Sequence, residues 1–157
     1  MSKLLVVFGA TGQQGGSVVD YVINDPILSK EFKVRAITRD TSKPAAQALQ
    51  QKGVEVVKGD ADDKESLKPA MQGAHTVFAV TVSVYDDKIY ERELGQGKAL
   101  ADAAVAAGVK YFIFSSLDHM GNLSGGKIKN SKHFDVKADI EAYIVSSQIF
   151  FLLSVIE

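Results

Sequence analysis

The apolar run Leu4-Leu5-Val6-Val7-Phe8 leads without a break into Gly9-Ala10-Thr11-Gly12-Gln13-Gln14-Gly15-Gly16, and then into Ser17-Val18-Val19-Asp20-Tyr21-Val22-Ile23. The first segment has the length of a buried strand. In the third, apolar residues recur at helical spacing. The glycines between them let the chain turn sharply and let an anion reach the bare backbone. The free N–H groups and positive dipole end of the following helix then hold that anion. A strand, a glycine-rich turn and a helix in this order predict a pyrophosphate cradle, and so a dinucleotide ligand. Gly9, Gly12 and Gly15 are spaced G-x-x-G-x-x-G rather than the more usual G-x-G-x-x-G, so the flanking strand and helix carry much of the inference. A tight turn without a ligand is the competing reading. It would not require four glycines in eight residues, each of which loses more backbone entropy on folding than any other residue.

Strand and helix signals alternate through the rest of the chain. Phe32–Thr38 alternates apolar and polar, and Ala45–Lys52 is rich in helix formers with Gly53 as its stop. Val54–Val57 reads as a third strand, Asp63–Gln72 as a short helix capped by Asp62 or Asp63 and ended by Gly73, and Thr76–Val80 as a fourth strand. A long helix over Asp87–Ala107 puts Tyr90, Leu94, Gly97, Ala101 and Val105 on one face and ends at Gly108. Tyr111–Phe114 is a fifth strand, Leu117–Asn130 a looser segment, Phe134–Ser147 a helix with Val136, Ile140, Tyr143 and Ile144 inward, and Gln148–Val155 a sixth strand. The pattern predicts α/β architecture: a doubly wound parallel (Rossmann) sheet in the order 3-2-1-4-5-6, with helices on both faces.

Composition narrows the partners. At 157 residues, 46% apolar and 24% charged, the chain is expected to form one soluble domain. Net charge is −1 with the signs interspersed, so neither a nucleic-acid stripe nor a basic membrane-binding helix is expected. Without cysteine there is no disulfide, thiolate metal site or cysteine nucleophile. No signal segment is expected ahead of the first strand, and no apolar run approaches the roughly 20 residues of a membrane helix. A cytoplasmic location is the expectation.

In a sheet of this kind ligands lie beyond the carboxyl ends of the strands, where the strand order reverses. After strand one stand Gly9, Ala10, Thr11, Gly12, Gln13, Gln14 and Gly15, the phosphate turn; Thr11 has a hydroxyl for a phosphate or for capping the helix. After strand two stands Arg39, where an NAD-binding fold usually has an acid for the ribose 2′-OH. A cation there suits a 2′-phosphate, with Lys43 as a second contact, and predicts NADP(H) over NAD(H). The neighbouring Asp40 is a competing partner for a 2′-OH. After strand three, Asp60 and Ala61 are candidates for the adenine, with Asp60 accepting from the amino group. Asp60, Asp62 and Asp63 also resemble a metal site, but no histidine joins them at ligand spacing, and acids at a helix N-terminus are the preferred reading for Asp62 and Asp63. Thr81, Val82 and Ser83, after strand four, fall near the nicotinamide ribose. Ser115 and Ser116 follow strand five. His133 and Lys137, four residues apart, share one helical face. Lys137 is a candidate for the ribose hydroxyls and His133 for proton exchange near neutral pH, although an ordinary surface or capping histidine is the preferred reading of His133. His75 and His119 stand alone, and no metal site is expected.

Gly9–Val18, Val34-Arg35 with Thr38-Arg39, Gly59-Asp60, Gln96-Gly97-Lys98, Ala107-Gly108-Val109, Phe114-Ser115-Ser116, and His133-Phe134-Asp135 with Lys137 together resemble the short-chain dehydrogenase/reductase superfamily, and within it the atypical NmrA-like branch. The resemblance spans almost the whole chain. Catalytic members of that superfamily usually carry Tyr-x-x-x-Lys, the tyrosine donating a proton while the lysine binds ribose and lowers the tyrosine pKa. Here His133 stands at the tyrosine position and Lys137 at the lysine. NmrA-like proteins bind NAD(P), often without demonstrable turnover, and act as redox-sensing regulators through protein partners such as transcription factors, which extends the expected location to the nucleus. Family members also continue past the sixth strand into a smaller region that closes the cleft, and the chain is expected to lack this region. The resemblance therefore implies an NADP(H)-binding regulator that works through a protein partner or self-association such as a homodimer. The alternative is an NAD(P)H-dependent reductase of quinones or small carbonyls, with His133 and Lys137 as its catalytic candidates.

Overall fold

In the computed structural model, which describes residues 2–147 and the backbone of residues 151–155, the first strand is the centre of the fold. Strand β1 (Lys3–Val7) sends Leu5 and Val7 to one side of the sheet and Val6, followed by Phe8, to the other, and all four are buried. A strand buried on both faces reads as an unbroken apolar run, because neighbouring strands and covering helices remove every direction in which a polar side chain could meet water.

Six strands form one parallel sheet in the order β3-β2-β1-β4-β5-β6, the expected doubly wound topology. The strands after β1 are β2 (Phe32–Thr38), β3 (Glu55–Lys58), β4 (Thr76–Ala79), β5 (Tyr111–Ser116) and β6 (Phe151–Val155). Helices α1 (Gln13–Asn24) and α3 (Pro44–Gln51) cover one face; Val19, Val22 and Leu49 pack there on Leu5, Val7, Val34, Ala36 and Phe78. Helices α4 (Lys64–Met71), α5 (Ile89–Ala106) and α7 (Lys132–Ser146) cover the other; Leu67, Met71, Leu100, Val136, Ile140 and Ile144 pack there on Val6, Val77, Phe112 and Phe114. Each fully buried Leu, Ile or Phe of these layers contributes about 1.5–3 kcal/mol. Short helices α2 (Leu28–Glu31) and α6 (Met120–Leu123) complete the chain.

Several boundaries move from their expected positions. β5 continues through Ser115 and Ser116, which are buried within the strand rather than placed after it, because Ser115 pairs with Ser154 and Ser116 with Val155 of β6. Of the expected sixth strand, Gln148, Ile149 and Phe150 lie outside the described residues. On α5, Val105 is exposed, since the buried face runs through Ile89, Glu93, Gln96, Gly97, Leu100, Ala101 and Ala104. Asp63 is the N-cap residue of α4 but makes no capping side-chain bond; Ser66 turns its hydroxyl back to the Asp63 carbonyl instead. Arg35 of β2 spans the sheet edge, pairing with Glu55 at 2.9 Å and donating to the carbonyls of Ala70 and Gln72 at the end of α4.

The approach of α5 to α7 is set at Gly97. A Cβ there would lie 2.5 Å from two carbons of the Ile140 side chain, so only glycine lets the two helices pack this closely. Gly95, two residues away on the exposed side, has nothing within 4 Å of the same position. Opposite signs follow for one chemical change. Gly97→Ala is expected to destabilise the fold by about 1–3 kcal/mol through overpacking. Gly95→Ala is expected to stabilise it by up to ~1 kcal/mol through helix propensity. Urea denaturation of the two variants checks both.

Candidate functional site

Beyond β1 the chain makes a turn that only glycines permit. Phe8 donates to the Phe78 carbonyl, Gly9 adopts φ +67°, and the Gly12 N–H closes the turn on the Gly9 carbonyl at 2.9 Å. A Cβ on Gly9 would stand 2.6 Å from Val80 Cγ1, and one on Gly15 would stand 2.4 Å from the Gly9 carbonyl oxygen and 2.8 Å from that of Phe8. Gly9 thus supplies the left-handed turn, and Gly15 the contact that seats α1 on the end of β1. Gly12 is the N-cap of α1 in extended conformation, and no side chain caps the helix. The N–H groups of Gln13, Gln14 and Gly15 therefore keep no intrahelical partner. Thr11 is not the cap; its hydroxyl stays exposed at the cleft. Ala10 is buried among the Val7 and Val19 layer rather than lining the cleft.

The turn is one wall of a cleft of about 570 Å³ across the ends of β1 to β4. Arg39 and Lys43, both exposed, stand on its rim beyond β2. Asp40 lies between them, but its Oδ1 accepts from the Ser42 hydroxyl at 2.6 Å and the Ser42 N–H at 2.9 Å. Those bonds, with Lys43 nearby, hold its carboxyl below the usual carboxylate range. One Asp40 oxygen is thus committed to its own turn, while the two cations remain open to an anion. Asp60 and Ala61 also line the cleft; Asp60 Oδ1 accepts from the Asp62 N–H at 3.1 Å. Asp62 turns both carboxylate oxygens to Gln96 Nε2 at 3.0 Å rather than serving α4. Among the described residues no cluster of His, Asp or Glu is placed to hold a metal ion.

At the β4 end, Val80, Thr81, Val82 and Ser83 line the cleft. Behind them lies Glu93 of α5, only 1% exposed. Its Oε1 accepts from the Thr81 hydroxyl and from Lys137 Nζ, both at 2.6 Å, and its Oε2 accepts from the Ser83 hydroxyl at 2.8 Å. Lys137 Nζ also reaches Thr81 Oγ1 at 3.0 Å and the Thr81 carbonyl at 3.4 Å. A buried carboxylate persists only with a counter-charge and filled acceptor sites, and this one has both. Lys137 thus sits behind Thr81 instead of lining the cleft, its three N–H bonds directed at Glu93 and Thr81.

The other expected residues lie elsewhere. His133 stacks edge-on against Tyr85 and Phe134, with ring centroids at 5.5 and 4.6 Å, and is not part of the cleft wall. Ser116 donates to Glu141 at 2.6 Å, in the interior. His119 caps α6 through Nδ1, which also lies 3.1 Å from Asp135, so it has partners after all. Sequence reasoning overlooked Glu93 and the Asp62–Gln96 pair. The signal available for them was polar side chains three residues apart, Glu93 and Gln96, on the inward face of a helix whose other inward residues are apolar or glycine.

The family model for "NmrA-like family" matches residues 1–156. This chain belongs to the NmrA-like family. It is 40% identical to an NmrA-like family domain-containing oxidoreductase of Cladobotryum sp. over 148 residues, which covers 91% of this chain and 42% of that protein. Among solved structures, it superposes on an NADPH-dependent quinone oxidoreductase of Escherichia coli complexed with NADPH, with a TM-score of 0.73 and 27% identity, over 95% of this chain and 47% of the other. The fold also matches NmrA, a negative transcriptional regulator, with a TM-score of 0.81 and 23% identity, over 99% of this chain and 45% of that one. The chain spans less than half the length of each of these relatives.

Gly15→Ala is expected to push α1 off the turn, since the new methyl would meet backbone atoms that cannot swing away. A loss of about 1–3 kcal/mol in denaturation midpoint experiments is the expected outcome. Gly16→Ala, whose Cβ would stand 3.4 Å from the Ala10 carbonyl oxygen, is expected to be tolerated.

Proposed function

We propose that the chain binds NADP(H) in the cleft and serves as a redox-sensing regulatory protein acting through a protein partner. Support for the cofactor comes from the turn. A Cβ would fill the cradle at Gly9 or Gly15, the first N–H groups of α1 are free for phosphate, and Arg39 and Lys43 flank the position of an adenosine 2′-phosphate while one Asp40 oxygen is engaged. Gln13, Gln14 and Gly15 would hold the pyrophosphate through their backbone, with the Thr11 hydroxyl beside it. Asp60 and Ala61 would face the adenine, and Thr81, Val82 and Ser83 the nicotinamide side. When bound, the cofactor supplies hydride chemistry; the protein supplies position and electrostatics.

The observation that carries the regulatory reading is the distribution of titratable groups. Among the described residues lining the cleft, Arg39, Asp40, Lys43, Asp60 and Asp62 all stand at the ends of β2 and β3. At the β4 end the wall has only the hydroxyls of Thr81 and Ser83, and both donate to Glu93. Among the described residues lining the cleft no carboxyl or imidazole stands at that end, where the nicotinamide would lie, which suits a site that binds the cofactor and reports its redox state better than one that protonates a product. Binding would shift the surface shown to a partner only as far as the two redox forms differ in affinity for its two conformations. A cytoplasmic location with access to the nucleus goes with this reading.

A second reading is favoured by the relatives: an oxidoreductase at 40% identity and an NADPH-dependent quinone oxidoreductase at 27%. Under it the chain belongs to an NAD(P)H-dependent reductase of quinones or small carbonyls, with the cofactor doing most of the chemistry and Lys137 fixing the nicotinamide wall.

Calorimetric titration with NADP⁺, NADPH, NAD⁺ and NADH tests both. The expected result is preference for the phosphorylated pair, with Arg39→Asp weakening that pair by at least about tenfold and leaving the other pair little changed. Unequal affinity for NADP⁺ and NADPH without NADPH oxidation in the presence of quinones supports the sensor. Saturable quinone-dependent oxidation supports the reductase. Equal affinity for all four forms, unaffected by Arg39→Asp, would sink the NADP(H) preference.

A further inference from the structure

A hydroxyl has one proton and two lone pairs, whereas a carboxylate only accepts. Glu93 accepts from the Lys137 ammonium, its ion-pair partner, at 2.6 Å, and the protons of the other hydrogen bonds at its two oxygens come from the hydroxyls that face them. The Thr81 hydroxyl therefore gives its proton to Oε1 and the Ser83 hydroxyl gives its proton to Oε2. Thr81 Oγ1 uses one lone pair on Lys137; Ser83 Oγ accepts from no donor among the described residues. Thr81 and Ser83 line the cleft, and Glu93, buried behind them, does not.

We propose that Glu93 is a positioning residue that makes the β4 wall a surface of hydrogen-bond acceptors, and so selects a donor group on the nicotinamide half of the dinucleotide. The inference rests on the NADP(H) reading above. Two donors exist on that half, the ribose hydroxyls and the carboxamide NH₂, and either satisfies Ser83. A group that only accepts meets lone pair against lone pair there, and a buried acceptor left without a donor loses affinity. Glu93 never touches the ligand; it acts by fixing which way two hydroxyl protons point. Glu93→Gln keeps the size of the side chain but offers one acceptor atom in place of two, so one hydroxyl must turn its proton away, toward the cleft.

The test is calorimetric binding of three probes to the whole chain: NADP⁺, its 3-acetylpyridine analogue, which lacks the NH₂, and 2′,5′-ADP, which lacks the nicotinamide half. Wild type is expected to bind all three. Glu93→Gln is expected to weaken NADP⁺ by about tenfold while 2′,5′-ADP binds as before. A role confined to folding would not divide the probes in that way. Ser83→Ala gives the same division on a side chain at the cleft surface, and it carries the test if Glu93→Gln does not fold. If the carboxamide is the donor, Ser83→Ala also closes the gap between NADP⁺ and its acetylpyridine analogue; if the ribose is, both weaken together. NADP⁺ affinity unchanged in a folded Glu93→Gln or in Ser83→Ala overturns the inference, as does an equal loss for 2′,5′-ADP. Failure of wild type to bind any probe overturns the NADP(H) reading itself, and this inference with it, an outcome distinguishable from the others because it precedes any substitution.

Discussion

Contact between Gly15 and the backbone of Phe8 and Gly9 fixes the geometry on which the rest of the cleft is built. Without a side chain at that position, α1 settles directly onto the end of the central strand, with its unpaired N–H groups facing the crevice. β1 can be central only because Leu5, Val6, Val7 and Phe8 satisfy both faces of the sheet at once. Strand order then brings the ends of β2, β3 and β4 around the same crevice. Helix seating and strand-end packing meet at one residue, and they demand the same thing of it: the absence of a Cβ.

The two ends of the cleft differ in physical character. At the β2 and β3 ends the charges are exposed and open to an anion, as with Arg39 and Lys43, or engaged in local turns, as with Asp40 and Asp60. At the β4 end a buried ion pair stands behind a wall of hydroxyls. Breaking that pair would strand a charge in the interior, so it is a rigid backing rather than an adjustable one. Under the proposed reading, an exposed anion site together with a stiff, proton-directed wall would hold one dinucleotide in one orientation.

Strand periodicity, glycine spacing and helix length carried the sheet order and the position of the glycine turn, because local sequence pattern and global topology agree along this chain. Arg39, Lys43, Asp60 and Thr81 could be placed at the cleft by counting residues past each strand. Lys137 was found by its spacing from His133, yet that spacing says nothing about depth. Both residues lie on α7, but Lys137 turns to Glu93 in the interior while His133 packs on Tyr85. Ser115 and Ser116 were expected just after the fifth strand; pairing with β6 draws them into it.

What the amino-acid sequence determined by itself was the local pattern: the apolar strand, the glycine turn and the alternation that makes a parallel sheet. Tertiary structure alone decided which polar side chains meet across elements. Glu93, Thr81, Ser83 and Lys137 come from α5, the segment after β4, and α7. Glu93 and Lys137 are 44 residues apart in sequence and 2.6 Å apart in space. No periodicity encodes such a meeting. It follows from the close approach of α5 and α7 at Gly97 and Ile140, and from the high cost of burying a carboxylate without donors around it.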